Sequence, residues 1–278
     1  MYLRPTSLAE AVSALASGNA QILAGGTDFY PALGERLARG KIVDVTRLRE
    51  LRGILVDGEN FRIGGLTTWT DVIGAPLPRC FDALKAAARE VGSVQIQNRG
   101  TVAGNLCNAS PAADGVPPLL ALNAEVELMS PAGVRRVKLE DFLLGNRKTQ
   151  RRVDEILTSI LVPRRLEDAR SSFMKLGARR YLVISIAMVA VVLMADEAGC
   201  VSRARVAVGS CSAVARRLPE LEAALVGRLL RDDIAECVEA SHLAALVPLD
   251  DVRATAAYRM DAALTLVRRA LGECARNF

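Results

Sequence analysis

Thr101-Val102-Ala103-Gly104-Asn105-Leu106-Cys107-Asn108-Ala109-Ser110-Pro111-Ala112-Ala113-Asp114 is the stretch on which the reading of this chain turns. It carries almost no bulk. A buried strand would present Val, Ile or aromatic residues here, and a helix is not expected to hold this density of Gly, Asn, Ser and Pro. The stretch reads as a turn-rich segment whose backbone approaches something. Glycine permits close approach and positive φ, while Asn, Ser and Thr orient a backbone or bind a ligand. Cys107 sits inside it and is a candidate lining residue.

A second stretch of this kind lies upstream, Gln21-Ile22-Leu23-Ala24-Gly25-Gly26-Thr27-Asp28. A short apolar run ends in Gly-Gly, and Thr-Asp opens a helix. Strand, glycine turn and helix N-terminus together hold an anion on backbone N–H groups. Neither stretch is a GxGxxG or a GxxxxGK[ST] motif, and neither motif occurs elsewhere. Taken alone, residues 24–28 are accounted for by an ordinary tight turn. Two such turns in one chain point to a phosphate-bearing cofactor.

Bulk properties narrow the function. A chain of 278 residues buries a sizeable core in two domains or one large one. Hydrophobic residues make up 51%, as in globular proteins. Aromatics are only 4%, too few for stacking on nucleic acid, so no nucleic-acid partner is expected. The formal charge of +5 is scattered in pairs such as Arg135-Arg136, Arg164-Arg165 and Arg216-Arg217, which read as solvated surface. Six cysteines, none at CxxC spacing, and one histidine, His242, argue against a metal site or iron–sulfur cluster built from this chain alone. No disulfide framework and no secretory signal are evident, so a cytoplasmic location is expected. The longest uncharged apolar run, residues 181–195, is shorter than the ~20 residues of a spanning helix and is rich in Val and Ile, so it reads as a buried strand, with no membrane partner. No Ser–His–Asp, Cys–His or paired-carboxylate arrangement can be assembled, and no catalytic residue is assigned.

In chain order, Ser7-Leu8-Ala9-Glu10 has capping-box form and starts a helix that Gly18 stops. Strands are expected over 22–24, 42–45, 54–56, 61–63, 126–129, 134–137 and 156–162, and helices over 31–39, 68–73, 82–91 and 114–122. The alternative reading of Asp114 is a cap for that last helix. A boundary falls near 163–170. Beyond it three strands, 172–176, 184–194 and 201–208, precede three helices, 218–226, 232–244 and 254–271. The fold class is α+β.

These landmarks resemble the FAD-binding medium subunit of the molybdenum hydroxylases, the xanthine dehydrogenase and carbon monoxide dehydrogenase family. The resemblance rests on Ala24-Gly25-Gly26-Thr27-Asp28, Thr101-Val102-Ala103-Gly104-Asn105, Ser110-Pro111-Ala112-Ala113-Asp114 and Pro117-Pro118-Leu119-Leu120-Ala121-Leu122-Asn123-Ala124. Asp154-Glu155-Ile156-Leu157-Thr158-Ser159-Ile160 and Lys175-Leu176-Gly177-Ala178-Arg179-Arg180 continue it. It covers nearly the whole chain. One departure is Ala103, where the family usually has glycine.

The resemblance implies a two-subdomain FAD-binding domain of the PCMH type over residues 1–167, with subdomains of about 1–53 and 54–167, then a C-terminal domain over 168–278. It implies FAD held by Ile22, Leu23, Ala24, Gly25, Gly26, Thr27 and Asp28 on one side and Thr101, Gly104 and Asn105 on the other. Ser110, Asp114, Leu157 and Lys175 match further contact positions, Leu157 as an apolar wall and Lys175 as a positive charge near flavin or phosphates. Residues 177–185 resemble a loop beside the flavin ring, where Tyr181 is a candidate cover. The implied partners are a small subunit with two [2Fe–2S] clusters and a large molybdenum–pterin subunit, two copies of each, with NAD⁺, oxygen or another external acceptor. The alternatives are a stand-alone FAD oxidoreductase and a scaffold subunit that has lost its flavin, for which Ala103 is the only hint.

Overall fold

The computed structural model describes residues 1–16, 18–38 and 40–278. Its first part holds strand β1 (Tyr2–Leu3), helix α1 (Leu8–Leu15), β2 (Ala20–Leu23), α2 (Phe29–Leu33) and β3 (Lys41–Asp44). β1 and β2 both run parallel to the central β3, giving the small parallel sheet that the β–α–β order implies. The Ser7 hydroxyl accepts from the Glu10 N–H, and the Glu10 carboxylate accepts from the Thr6 N–H at 2.8 Å, so the capping box closes one residue earlier than the sequence pattern suggests. Ala11, Val12 and Leu15 pack on Val43, Val45 and Leu48 as a separate small core. The helix expected over 31–39 instead begins at Phe29, directly after the glycine turn, and ends at Gly34 with φ +56°. The last residue of that expectation, Arg39, lies outside the described residues.

The second part contains β4 (Ile54–Asp57), β5 (Asn60–Gly64), α3 (Trp69–Gly74), α4 (Asp82–Glu90), α5 (Val94–Gln97), α6 (Val102–Asn108) and α7 (Val116–Ala121). It continues with β6 (Glu125–Ser130), β7 (Gly133–Lys138), α8 (Leu139–Phe142), β8 (Leu143–Gly145), β9 (Lys148–Thr149) and β10 (Ile156–Pro163). Five strands form an antiparallel sheet in the order β4-β5-β10-β6-β7. β10 is its centre and is buried along nearly its whole length, which suits its apolar residues on either side of Thr158 and Ser159, whose buried hydroxyls bond to Glu127.

The helix α6 corrects the reading of 101–114 as turns throughout. Thr101 caps it by accepting from the Gly104 N–H, and Val102, Ala103 and Leu106 are buried against the core, so tertiary packing overrides a composition poor in helix formers. Turns begin only at Ala109, which is left-handed at φ 48°. α7 starts at Val116 rather than 114, with Pro117 and Pro118 in its first turn.

Glu155 shows how the sheet tolerates a buried charge. Its side chain is fully covered and accepts from Arg135 at 2.6 and 3.0 Å and from the Arg152 N–H at 2.7 Å. Burial alone would raise its carboxyl, but these partners hold it below the usual glutamate range. A depressed carboxylate contributes stability above its unfolded pKa and loses it as pH falls through the folded value. Glu155→Gln is therefore expected to lower stability by about 2 kcal/mol at neutral pH and by much less in acid, as urea unfolding at both pH values will measure.

The third part holds β11 (Arg170–Leu176), β12 (Ala187–Ala195), β13 (Val201–Gly209), β14 (Arg216–Arg217), α9 (Pro219–Leu225) and α10 (Ala256–Ala275). The sheet has four strands in chain order, one more than expected, because the short β14 pairs with β13 at Ala207 and Val208. One face, Met188, Ala190, Val192 and Ala207, joins the core of the second part. The other, Val189, Val191, Leu193, Val206 and Val208, packs with α9 and α10. β12 thus has no solvated face, which accounts for the apolar run read from the sequence. It starts at Ala187, not 184, because its partner β11 ends at Leu176, which is paired with Ala187. The helix expected over 232–244 is two short 3₁₀ turns, Asp232–Cys237 and Ala240–Leu243. Between them Val238 is extended, and its carbonyl accepts two hydrogen bonds from Arg268 of α10.

Among the described residues no helix is long and apolar enough to cross a membrane. No cluster of three or more His, Cys, Asp or Glu side chains suited to a metal ion occurs among them either.

Candidate functional site

All three parts of the molecule meet at one cleft of about 700 Å³. Its first wall is the turn between β2 and α2. A Cβ built on Gly25 would lie 2.0 Å from the Arg99 carbonyl oxygen, so only glycine lets this turn press against the loop before α6. Gly26 has φ +79°. The backbone N–H groups of Gly25, Gly26, Thr27 and Asp28 find no acceptor among the described residues, which leaves a concave set of donors at the cleft.

The opposite wall is the start of α6. Its Val102 N–H donates to the Thr67 carbonyl and its Gly104 N–H to Thr101 Oγ1, whereas the Ala103 N–H has no acceptor among the described residues. Asn105 Oδ1 is buried without a hydrogen-bond partner. A lone buried acceptor is unfavourable, and its position on the lining marks where a ligand donor would be satisfied. The two walls are tied by Asn108, whose amide donates to Asp28 Oδ1 at 3.1 Å. Ala103 is part of the lining of this cleft.

Beyond α6 the chain turns through Ser110, whose hydroxyl accepts from the Ala112 N–H, to Asp114. Asp114 does not cap α7; the cap position is Gly115, with no side-chain bond. Its carboxylate accepts instead from Lys175 Nζ at 2.7 Å and from Ser185 Oγ at 2.6 Å. Burial pushes the Asp114 carboxyl up from the ordinary range, against the pull of Lys175 and Ser185. Burial also pushes the Cys107 thiol up to about 11, so it stays protonated near neutrality and is no nucleophile there. Ile156 and Leu157 of β10, with Leu66, form an apolar floor. Leu182, Val183 and Ile184 close the far end.

Of the residues singled out in the sequence, Ile22, Ala24, Gly25, Gly26, Thr27, Asp28, Thr101, Gly104, Asn105, Ser110, Asp114 and Leu157 line this cleft. Leu23 and Lys175 do not. Leu23 is buried on the other side of β2, since neighbouring residues of a strand face opposite ways. Lys175 stands behind Asp114 and neutralises that carboxylate instead of presenting its charge to the cleft. Tyr181 is exposed, with the Arg180 guanidinium 5.4 Å from its ring centre, and the following residues line the cleft in its place. Sequence reasoning missed Trp69 and Arg151. Trp69, the one tryptophan, is buried at the lining, where a Cβ on Gly115 would meet its ring at 2.3 Å. Arg151 brings the one cationic side chain of the lining among the described residues. A lone Trp following a capping threonine was the available signal for the first; a scattered arginine pair carries none for the second.

Residues 1–165 match the family described as the FAD binding domain in molybdopterin dehydrogenase, and residues 172–274 match the CO dehydrogenase flavoprotein C-terminal domain. The nicotinate dehydrogenase FAD-subunit of Eubacterium barkeri is 36% identical over 77% of this chain and 74% of its own. The nicotine 6-hydroxylase medium subunit of Paenarthrobacter nicotinovorans is 30% identical over 98% of this chain and 96% of its own. Among solved structures, a chain of carbon monoxide dehydrogenase from Hydrogenophaga pseudoflava superposes with a TM-score of 0.89 at 31% identity, covering 99% of this chain and 96% of that one.

Proposed function

This chain belongs to the family of FAD-binding subunits of the molybdenum hydroxylases and is an oxidoreductase flavoprotein, and on that premise we propose that it is the electron-transfer subunit of such a complex, receiving electrons from [2Fe–2S] clusters on a small subunit and delivering them to an external acceptor. The observation that carries the reading is the cleft itself: a glycine turn with unpaired N–H donors faces the start of α6, where the Ala103 N–H is also free of a partner among the described residues, and the two walls are tied by Asn108 and Asp28 above an apolar floor. A pyrophosphate needs many donors and little bulk, and a flavin ring needs apolar walls. The residues present fit both needs, and the unpartnered Asn105 Oδ1 adds an acceptor for a ligand N–H or O–H.

In this reading Ala24, Gly25, Gly26, Thr27 and Asp28 hold the phosphates from one side, and Thr101, Gly104 and Asn105 from the other. Ile22, Leu157 and the residues after Tyr181 supply apolar contact, and Ser110 and Asp114 polar contact. Leu23 and Lys175 act from behind, Lys175 by fixing the Asp114 carboxylate. Bound FAD supplies a reversible store of electrons, and the protein's part is to bind, orient and shield it. The large partner is a molybdenum–pterin subunit, the assembly is a dimer of heterotrimers, and the complex is cytoplasmic. The same proposal divides the chain into an FAD-binding domain, residues 1–167 with subdomains of about 1–53 and 54–167, and a C-terminal domain, 168–278. The separate small core of the first part supports the inner division, and the two matched segments support the outer one.

The test is the visible spectrum of the purified chain, with the released cofactor identified by mass. FMN or a colourless protein after assembly with its partners would sink the reading. Asn105→Leu adds a sharper check. Removing a lone buried acceptor leaves the stability of the flavin-free chain unchanged or higher, while FAD retention falls by about tenfold.

A further inference from the structure

Away from the cleft, the face of the C-terminal sheet that meets the second part of the molecule changes character along β13. Ala207 packs into the core, but the next two residues on the same face are Arg205 and Arg203. Arg217 of β14, opposite Ala207, adds a third guanidinium to that face. Arg165, exposed in the 3₁₀ turn Arg164–Leu166, brings a fourth positive charge near Arg205.

One carboxylate answers this charge. Glu222 of α9 is buried, accepts from the Val206 N–H at 3.0 Å and pairs with Arg217 through both carboxylate oxygens. Arg165, Arg203 and Arg205 make no ion pair among the described residues, Glu222 reaching Arg205 only through its field, and Arg203 Nη1 and Arg205 Nε are covered without any hydrogen-bond acceptor. Burial and then the charge of Arg217 pull Arg205 below the ordinary arginine range; Glu222 acts against them, and Arg203 and Arg165 add smaller pulls downward. Like charges gathered at a half-buried seam are unfavourable in the isolated chain. A partner surface bearing carboxylates would relieve this repulsion.

The proposed cofactor does not supply that relief. None of the four arginines lines the cleft. Arg203 is six residues along β13 from Gly209, roughly 20 Å from the strand end whose next residue, Ser210, bonds the Pro111 carbonyl. The shape of the cluster identifies the occupant. Arg203 and Arg205 are ~7 Å apart along the strand, and Arg165 and Arg217 extend the group onto other elements. One small oxyanion covers one guanidinium pair; this arrangement matches several carboxylates presented by a surface.

We propose that Arg165, Arg203, Arg205 and Arg217 form the docking site for an acidic surface of another subunit of the complex, seated on at least two carboxylates. The proposal rests on the reading of the chain as one subunit of a larger assembly. Its test uses the full chain with its co-expressed partner subunits. In the double variant Arg203→Met/Arg205→Met, the isolated chain melts at the wild-type temperature or higher, assembly weakens at least tenfold, and the salt dependence of assembly becomes shallower. Arg165→Glu, at an exposed position where folding is not at risk, weakens assembly in the same way. Unchanged assembly in both variants overturns the proposal, as does a lowered melting temperature in the double variant. Inorganic phosphate that stabilises the wild type and not the double variant, with assembly unaffected, assigns the cluster to a free oxyanion and also overturns it. Flavin content is read in the same samples. A colourless chain that still docks through these arginines sinks the flavin reading and leaves this one standing.

Discussion

Gly25→Ala is expected to yield a chain that purifies with at most a tenth of the wild-type flavin, a loss of about 1.4 kcal/mol or more in binding. The added methyl would sit 2.0 Å from the Arg99 carbonyl oxygen and 2.7 Å from its carbon. Both atoms are backbone, so no rotamer change relieves the contact. The β2–α2 turn must move away from the loop before α6, carrying with it the unpaired N–H groups of residues 25–28. Overpacking of this kind also lowers folding stability by about 1–3 kcal/mol. Gly74→Ala is the control, since a Cβ there meets nothing within 4 Å. Flavin absorbance per chain and thermal melting separate the two effects, and full flavin retention in Gly25→Ala would rule out this turn as the phosphate cradle.

The second large effect is expected at Lys175. Its ammonium and the Asp114 carboxylate are both nearly covered, 6% and 9% exposed. Lys175→Met leaves that carboxylate with Ser185 alone, and breaking a buried pair from one side costs about 3–5 kcal/mol. The pH dependence carries the signature. Burial already raises the Asp114 carboxyl, and loss of Lys175 raises it further. With its folded pKa above the unfolded one, the variant is stabilised by protonation at low pH and loses that stability as pH rises through the folded value. The deficit relative to wild type therefore shrinks toward about pH 4 and widens toward neutrality. The double variant Lys175→Met/Asp114→Asn recovers most of the loss. A deficit that is flat with pH would mean that Asp114 is not the group left unpaired.

The parts of this molecule that were legible in the sequence are those set by local pattern. The apolar run of β12 announced a buried strand, and the glycine turn after β2 announced itself by composition. α6 was not legible, because what makes it a helix is the burial of Val102, Ala103 and Leu106 under other elements. Reading residues 22–28 as one contiguous lining overlooked strand alternation, which sends Leu23 away from Ile22. Lys175 misled because its partner, Asp114, is 61 residues away, and no local pattern shows that its charge is already answered.

The burial of β12 on both faces has a consequence for how the molecule comes apart. The matched families divide the chain between residues 165 and 172, yet this one strand contributes side chains to the cores on either side of that line. Neither half can melt without stripping a face of the other. The chain is thus expected to unfold as a single cooperative unit, with far-ultraviolet and near-ultraviolet signals falling together and the β12 amides among the last to exchange with solvent.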